Sequence, residues 1–491
     1  MFDRSGIDAS KVSRRAALGA LVFGVPAIGG CGSGVSETVS TAEDVASPNG
    51  FYDVRRSGAV CDGLADDTAA WERAVSTVAA AGGGQIAWRG VTRVRQIKLA
   101  SRVGLQGYGP EVSRIDQMPG RADGQHCVLL EENAADGVML RDFSLNGRKE
   151  EQDLGTSASG IHFNAPNSQA AFHRIQNVRV RTVLGPGLYW GYGMRGSSIE
   201  GLSVYHCDGV GVYLRVFSDN TMHNVDVGQS GDHGFYIQNC FNSKFSNLKS
   251  WYSGRITGNG AGFYQRNGAT NIFSNISSQE NQGSGFFLNG ADSAIANQVM
   301  HSLSSDSDNV QAGASPGMRL DNVRHCIIDL GVMSDAPLRA KPFSGLSVDS
   351  RCTGNMIRAN VDPSAISDHI VTGKGIGSNN IDLYRGSNSI TLTEMYTPSI
   401  YRDRETRLTL TGDGGIGNPV TPEGGAPIGM SYKLILIQDE VGGRTLEWGS
   451  HYKIPASASI DTRANTRTVI EFECFGENDW VMTQFATGIP V

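Results

Sequence analysis

The chain has no three-residue glycine period, no Cys-x-x-Cys pair and no apolar run long enough to cross a bilayer. The first absence excludes collagen despite 63 glycines in 491 residues. The second removes the usual zinc and dithiol spacings, and the third removes a spanning helix. Charge is also scarce, with Asp, Glu, Lys and Arg at 19 % and a formal balance of −7. A nucleic-acid binder normally carries a basic excess, so no nucleic-acid partner is expected. An anionic ligand stays open, because a local basic stripe can coexist with a negative total. The eight cysteines stand at long, irregular spacings, which argues against a full disulfide framework. No ordered calcium loop with a downstream glutamate stands out, and neither metal nor cofactor is expected. Glycine, by contrast, is about one residue in eight, against a usual share of ~7 %. With 39 % apolar residues, this composition excludes disorder and fits many short strands joined by tight turns.

The first residues read as an address. Ser13-Arg14-Arg15 precedes an apolar stretch from Ala16 to Ile28 that has the length of a signal-peptide core. The paired arginines resemble a twin-arginine export signal. Ile28-Gly29-Gly30-Cys31 resembles the cleavage and acylation site of bacterial lipoproteins, which implies membrane anchoring through a lipid on Cys31. Residues 1–31 are thus expected to direct export, to the periplasm, the outer membrane or the medium, and 32–48 to form a linker.

Internal repetition decides the fold class. Gly followed by alternating side chains recurs at Gly160, Gly187, Gly211, Gly234, Gly262, Gly285, Gly317 and Gly345, at steps of 27, 24, 23, 28, 23, 32 and 28. A second series keeps nearly the same step: Ile175-Gln-Asn-Val, Ile199-Glu-Gly-Leu, Met222-His-Asn-Val, Phe245-Ser-Asn-Leu and Phe273-Ser-Asn-Ile. Two short strands per unit of two dozen residues describe one coil of a parallel β-helix. A propeller blade needs roughly 40 residues or more. Upstream, Thr68 to Ala80 places Trp71, Val75 and Val78 on one helical face, with Asp66 or Asp67 as N-cap and Gly82-Gly83-Gly84 as the stop.

Gly58-Ala59-Val60-Cys61-Asp62-Gly63, Asp66-Asp67-Thr68-Ala69-Ala70-Trp71 and the glycine triplet together resemble the opening of the pectate-lyase superfamily, which includes polygalacturonase-like hydrolases, pectate lyases and phage tailspikes. The resemblance implies an all-β, right-handed, single-stranded parallel β-helix over 49–395, with an N-terminal capping helix and Asp66 and Asp67 in structural roles. Tailspike-like β-helix proteins are often trimers, so it also implies a homotrimer. Residues 400–491 alternate differently, at Leu408-Thr-Leu-Thr, Tyr432-Lys-Leu-Ile-Leu-Ile, Thr445-Leu-Glu-Trp and Val469-Ile-Glu-Phe, and predict a small antiparallel β-sandwich. Gly442 to Trp448 with Trp480 resembles modules at the ends of phage tail proteins.

Strand alternation sorts each coil into inward and outward residues. The outward column reads His162, Tyr189, Tyr213, Tyr236, Tyr264, Phe287, Arg319, an aromatic ladder along the axis. Sugars rest C–H faces on such rings. Beside it runs Asn164, Gly191, Arg215, Gln238, Arg266, Asn289, Asp321. The alternative is that the rings stack only on each other or are covered. Acid–base groups gather in the turns before the repeat glycines: His206 and Asp208, Asp232 and His233, and Glu280. Asp208 and Asp232 at ~5–9 Å would suit a glycosidase; turn-forming polar residues are the plain alternative. Trp251 and Arg255 occupy a longer connection suited to walling a cleft. An endo-acting glycoside hydrolase using Asp208, Asp232, Glu280 and His233 is the leading expectation. A polysaccharide lyase is second, with Tyr213, Tyr236 or His233 as base and Arg215 or Arg266 as stabiliser. A noncatalytic glycan-binding protein is third. Gly231-Asp232-His233-Gly234 departs from the polygalacturonase pattern, since no second Asp adjoins Asp232.

Overall fold

The computed structural model describes residues 50–491 apart from 121–124, 132–134, 153–157, 167–170, 193, 309–314, 334–340, 363–365, 367–368, 376–377, 385–386, 393, 399–404, 421–425, 427–428 and 477–478. The export and lipid-attachment expectations on 1–31, and the linker expected at 32–48, lie outside these residues. None of the helices among the described residues is long and apolar enough to cross a membrane.

Two parallel sheets make up a right-handed solenoid. Thirteen strands follow one another in the first sheet from Phe51–Asp53 to Asn380–Tyr384, and eleven in the second from Ile97–Lys98 to His369–Thr372. Each chain segment pairs with the coil before and the coil after. The repeat glycines set the register of the second sheet, so that Ile161, Leu188, Val212, Phe235, Phe263, Phe286 and Met318 stand one above another. All seven are buried, as are Phe163, Trp190, Leu214, Ile237 and Leu288, and they form the inward stack that alternation predicts.

The glycine of each repeat is there for want of space. A Cβ built on Gly160, Gly187, Gly211, Gly234 or Gly262 would lie 2.8–2.9 Å from the carbonyl oxygen of the next repeat glycine. At Gly211 it would also lie 2.2 Å from Val227 Cγ1. Gly211→Ala is therefore expected to lose about 1–3 kcal/mol or more by overpacking, read as a lower urea midpoint. An unchanged midpoint would mean that the coils can separate at no cost.

The second sequence series marks a bend. In the eight-residue strands of the first sheet, Asn177, Gly201, Asn224, Asn247 and Asn275 all have φ between 50° and 64°. That left-handed region favours Gly and Asn. The inward phase flips there: in Arg174–Arg181, Ile175 is buried before the bend, and Val178 and Val180 after it. A second left-handed position, at Thr182, His206, Gln229, Tyr252, Glu280 and Ser307, turns each coil out of this sheet.

Polar side chains inside the corners pass hydrogen bonds from coil to coil. Asn220 Oδ1 accepts from Ser197 N (2.7 Å), Ser243 Oγ from Asn220 N (3.1 Å) and Asn271 Oδ1 from Ser243 N (3.0 Å). Further along, Cys326 Sγ accepts from Gln298 N, Asn355 Oδ1 from Cys326 N and Asn379 Oδ1 from Asn355 N. A parallel series runs from Ser253 N to Asn281 Oδ1 (2.8 Å) and from Asn281 N to Asp308 Oδ1 (2.9 Å). Buried backbone donors need such partners. The seven described cysteines are buried and unpaired with one another. Burial pushes the Cys207 thiol up to about 12 and Cys326 and Cys352 to about 11. These are packing and hydrogen-bonding groups.

The helix spans Thr68–Ala80 and buries Trp71, Val75 and Val78; Trp71 packs edge-on against Trp88 at 5.3 Å. Asp66 and Asp67 divide the structural work. Asp66 Oδ1 accepts from Thr68 N at the helix start (3.0 Å). Asp67 turns away to Val60 N, Cys61 N and Thr92 Oγ1.

The C-terminal region corrects the antiparallel expectation. Ser387–Leu392, Glu405–Leu410 and Ser431–Gln438 pair in parallel, and among the described residues only the Ser431–Gln438, Thr466–Gly476 and Asp479–Pro490 pairings are antiparallel. Met395–Tyr396, Gly414–Ile416 and Leu446–Trp448 form a second, parallel sheet. Period-two alternation is the same in parallel and antiparallel strands, so it could not tell them apart. Trp480, Tyr432 and Phe472 are buried in this mixed sheet.

Candidate functional site

Register places the aromatic column as the alternation predicts. His162 pairs with Tyr189, Tyr189 with Tyr213, Tyr213 with Tyr236, Tyr236 with Tyr264, Tyr264 with Phe287 and Phe287 with Arg319. The rings touch in sequence: His162–Tyr189 stacked at 4.5 Å, Tyr189–Tyr213 edge-on at 5.2 Å and Tyr213–Tyr236 stacked at 4.7 Å. Tyr236–Tyr264 and Tyr264–Phe287 follow edge-on at 4.9 and 5.0 Å. His126 extends the column, stacked on His162 at 3.9 Å. Mutual stacking and an open face coexist, since all the rings from His162 to Phe287 are only half-buried. Burial, with His126 alongside, pushes His162 down to about 3, so it is one more neutral ring.

The neighbouring column steadies the tyrosines. Tyr213 donates to Gln238 Oε1 (2.8 Å), Arg215 Nη1 donates to Tyr189 Oη (3.4 Å) and Asn289 Nδ2 donates to Tyr264 Oη (2.8 Å). Arg266 is paired with Asp292. Burial is the main cause that pushes the Tyr213 phenol up to about 12 and Tyr264 upward as well.

At the edge of the ladder the turns bring Asp208 and Asp232 onto adjacent coils. Asp232 N donates to the Gly209 carbonyl, and Gly231 N to that of Cys207. One strand spacing and one residue of rise put their backbones on the order of 6 Å apart. Gly231 lies directly on Asp208, where an added Cβ would meet its carbonyl oxygen. One loop touches both carboxylates: Arg255 Nη2 is 3.6 Å from Asp208 Oδ1, and Thr257 Oγ1 is 3.4 Å from Asp232 Oδ1. Lys149 Nζ, from a one-turn helix at Lys149–Glu151, adds a 2.6 Å contact to Asp208. Both cations match a negative charge on that oxygen.

His233 bridges the turn and the ladder. Its ring stacks on Tyr264 at 4.6 Å, and Nδ1 accepts from Ala261 N (2.9 Å). Burial holds its pKa below the usual histidine value, against an opposing pull from Asp232. The neutral ring then carries its proton on Nε2, 3.8 Å from Asp232 Oδ1. His206, lowered by burial and by Arg255 and Lys149, is neutral for similar reasons.

Two expected residues stand elsewhere. Glu280 occupies the left-handed corner and is 8 % exposed, so its side chain is largely covered. Trp251 is the last residue of Lys244–Trp251, on the outer face of the first sheet and across the turn from the ladder. Its indole lies over Gly228, where an added Cβ would come within 2.4 Å. Nε1 donates to Asp226 Oδ1 (2.8 Å), whose other oxygen accepts from Tyr205 (2.9 Å). Asp226, Tyr205, Lys149 and Thr257 escaped the sequence reading. Asp226 lies 25 positions from Trp251 and Lys149 lies 59 from Asp208. Only the coil register, applied to the first-sheet column, could have found the former.

Residues 186–362 match the family model for a right handed beta helix region, and residues 396–479 that for a putative phage tail fibre C-terminal domain. No curated protein matches the chain in sequence. Among solved structures, the enzymatically active domain of bacteriophage CBA120 tailspike protein 2 is similar over 71 % of this chain and 54 % of its own, at 15 % identity and a TM-score of 0.53. The full-length tailspike matches over 69 % and 48 %, at 15 % identity and a TM-score of 0.53. The chain thus spans about half the length of these tailspike structures. The A-module of mannuronan C-5 epimerase AlgE6 from Azotobacter vinelandii matches over 81 % and 99 %, at 17 % identity and a TM-score of 0.45. At these identities the likeness is one of fold.

Proposed function

We propose that the chain binds a polysaccharide along the ladder and hydrolyses it within the chain at the Asp208–Asp232 turn. The observation that carries this reading is the meeting of a continuous, half-exposed aromatic track with two carboxylates on adjacent coils, both touched by one loop. Asp208, facing Lys149 and Arg255, takes the role of the charged carboxylate, as base or nucleophile. Asp232, which among the described residues has no Lys or Arg paired with it and meets only Thr257 and the neutral His233 at long distances, takes the role of proton donor to the leaving oxygen. Trp251, pinned by Asp226, offers a flat apolar surface on the far side of the turn. The tailspike structures, one named as an enzymatically active domain, lend the fold a precedent for enzyme action.

The lyase alternative needs a base beside a uronate. Burial holds the Tyr213 proton to about 12, and His233 already uses its free lone pair on Ala261 N. Both features argue against Tyr213 and His233 as that base, which leaves Tyr236 as the residue a lyase would use.

The test is product analysis of the purified protein on neutral and uronate-containing polysaccharides, following chain length together with absorbance near 235 nm. Shortening without new absorbance supports hydrolysis. Shortening with it makes the protein a lyase, and binding without cleavage across the panel leaves a glycan-binding protein. In the same assay Trp251→Ala, held at a temperature where it remains folded, is expected to weaken polymer binding by roughly 3- to 10-fold, the value of one aromatic contact. Equal affinity would take Trp251 out of the binding surface.

A further inference from the structure

Two arginines, Arg215 and Arg266, stand on the ladder's flank and a third, Arg319, ends the ladder itself, and their partners differ. Arg266 lies 2.6 Å from Asp292 and Arg319 lies 2.9 Å from Asp321, so each is neutralised by an adjacent carboxylate. Arg215 has a different setting. Its guanidinium sits 4.6 Å over the Tyr192 ring, and Nη1 reaches Tyr189 Oη at 3.4 Å. No carboxylate among the described residues forms an ion pair with it. Tyr192 itself is 37 % exposed, so the pair lies at the surface.

A cation of this kind is aimed by its surroundings without being cancelled by them. Aromatic contact orients the guanidinium plane and stabilises the charge. A single long hydrogen bond to a phenol leaves most of its five N–H donors for another acceptor. The planar fork matches a carboxylate in two parallel hydrogen bonds. Tyr189 and Tyr213, immediately beside it in the register, are the rings on which a sugar would rest.

We propose that Arg215 is an anion-reading subsite of the ladder, which takes the carboxylate of an acidic sugar whose ring lies on Tyr189 and Tyr213. The proposal rests on the ladder being a glycan track and names the class of glycan: a carboxylated polysaccharide, with the acidic unit on the coil before the Asp232 turn. Arg266 and Arg319 stay with their own carboxylates and read nothing.

Titration calorimetry on the full chain tests this with a polyuronate, the same polymer after carboxyl reduction, and a sulfated neutral polymer. The polyuronate is expected to bind at least 10-fold more tightly than its reduced form. Arg215→Gln should remove that preference, lowering affinity for the polyuronate at least 10-fold more than affinity for the reduced polymer. Arg215→Lys should restore part of it, and Arg266→Gln should keep it whole. Equal binding of both forms by the unaltered protein, or a loss at Arg215→Gln shared by both, overturns the subsite and leaves the glycan track standing. Preference for the sulfated polymer overturns the carboxylate assignment. Failure to bind any polymer removes the track and the subsite together.

Discussion

Asp232→Asn is expected to lower the rate of chain cleavage by roughly 10²- to 10⁴-fold, the usual worth of a general acid, while polymer binding is kept. The amide preserves the shape of the side chain and its contact with Thr257, but it cannot deliver a proton. Asp208→Asn should be as damaging for another reason: it leaves Lys149 and Arg255 facing a neutral group. The two variants are therefore distinguishable. Substrates whose leaving group needs no protonation should recover much of the lost rate with Asp232→Asn and little with Asp208→Asn. Full activity of Asp232→Asn on the natural polymer would remove it from the reaction. The contact between Lys149 and Asp208 would then be the place to look for a different chemistry.

The second large effect concerns stability. Asp308 is wholly buried, and burial outweighs its hydrogen bonds and pushes its carboxyl up to about 6. An unfolded aspartate titrates near ~3.9. The folded pKa is the higher one, so between these values the native state holds the proton more firmly than the unfolded chain does. Stability from this group is complete below about pH 4 and is lost as pH rises through about 6, a change on the order of 3 kcal/mol. Asp308→Asn keeps an oxygen for Asn281 N, and puts an N–H donor where Oδ2 now accepts from Ser305 Oγ. The variant should match the unaltered protein near pH 4 and exceed it by about 3 kcal/mol near pH 7, as read by urea denaturation at each pH. Parallel profiles for the two proteins would show that the buried carboxyl titrates normally.

Which features were legible in the sequence follows from which ones every coil must satisfy. The repeat glycines could be read because each coil imposes the same steric limit, a neighbouring carbonyl where a Cβ would go. The outward aromatic column could be read because parallel, in-register pairing carries one position straight to the next coil. Helix Thr68–Ala80 was legible from its apolar face and its stop. Other features depend on a single contact. Lys149 reaches Asp208 from a segment that the repeat does not include, and Trp251 could be assigned to a face only once its strand was known to run to that residue. Glu280 shares the turn pattern of the aspartates, but the left-handed corner carries its side chain into cover. Strand direction in the C-terminal sheet was hidden because alternation reports which residues are covered and not which way the chain runs.

The coil-to-coil hydrogen bonds inside the corners have a consequence for how such a protein can change its length. From 197 to 271, and again from 298 to 379, each corner offers a polar side chain to the backbone N–H of the coil before it, so the bonds form two runs of like links. Removing 211–233 would join Val210 to Gly234, glycine again meeting the place of a glycine, with an equivalent donor and acceptor on either side of the splice. Deleting a few residues within a coil would break both links at once. The molecule can therefore grow or shrink by whole turns, and each added turn lengthens the outer track by one ring.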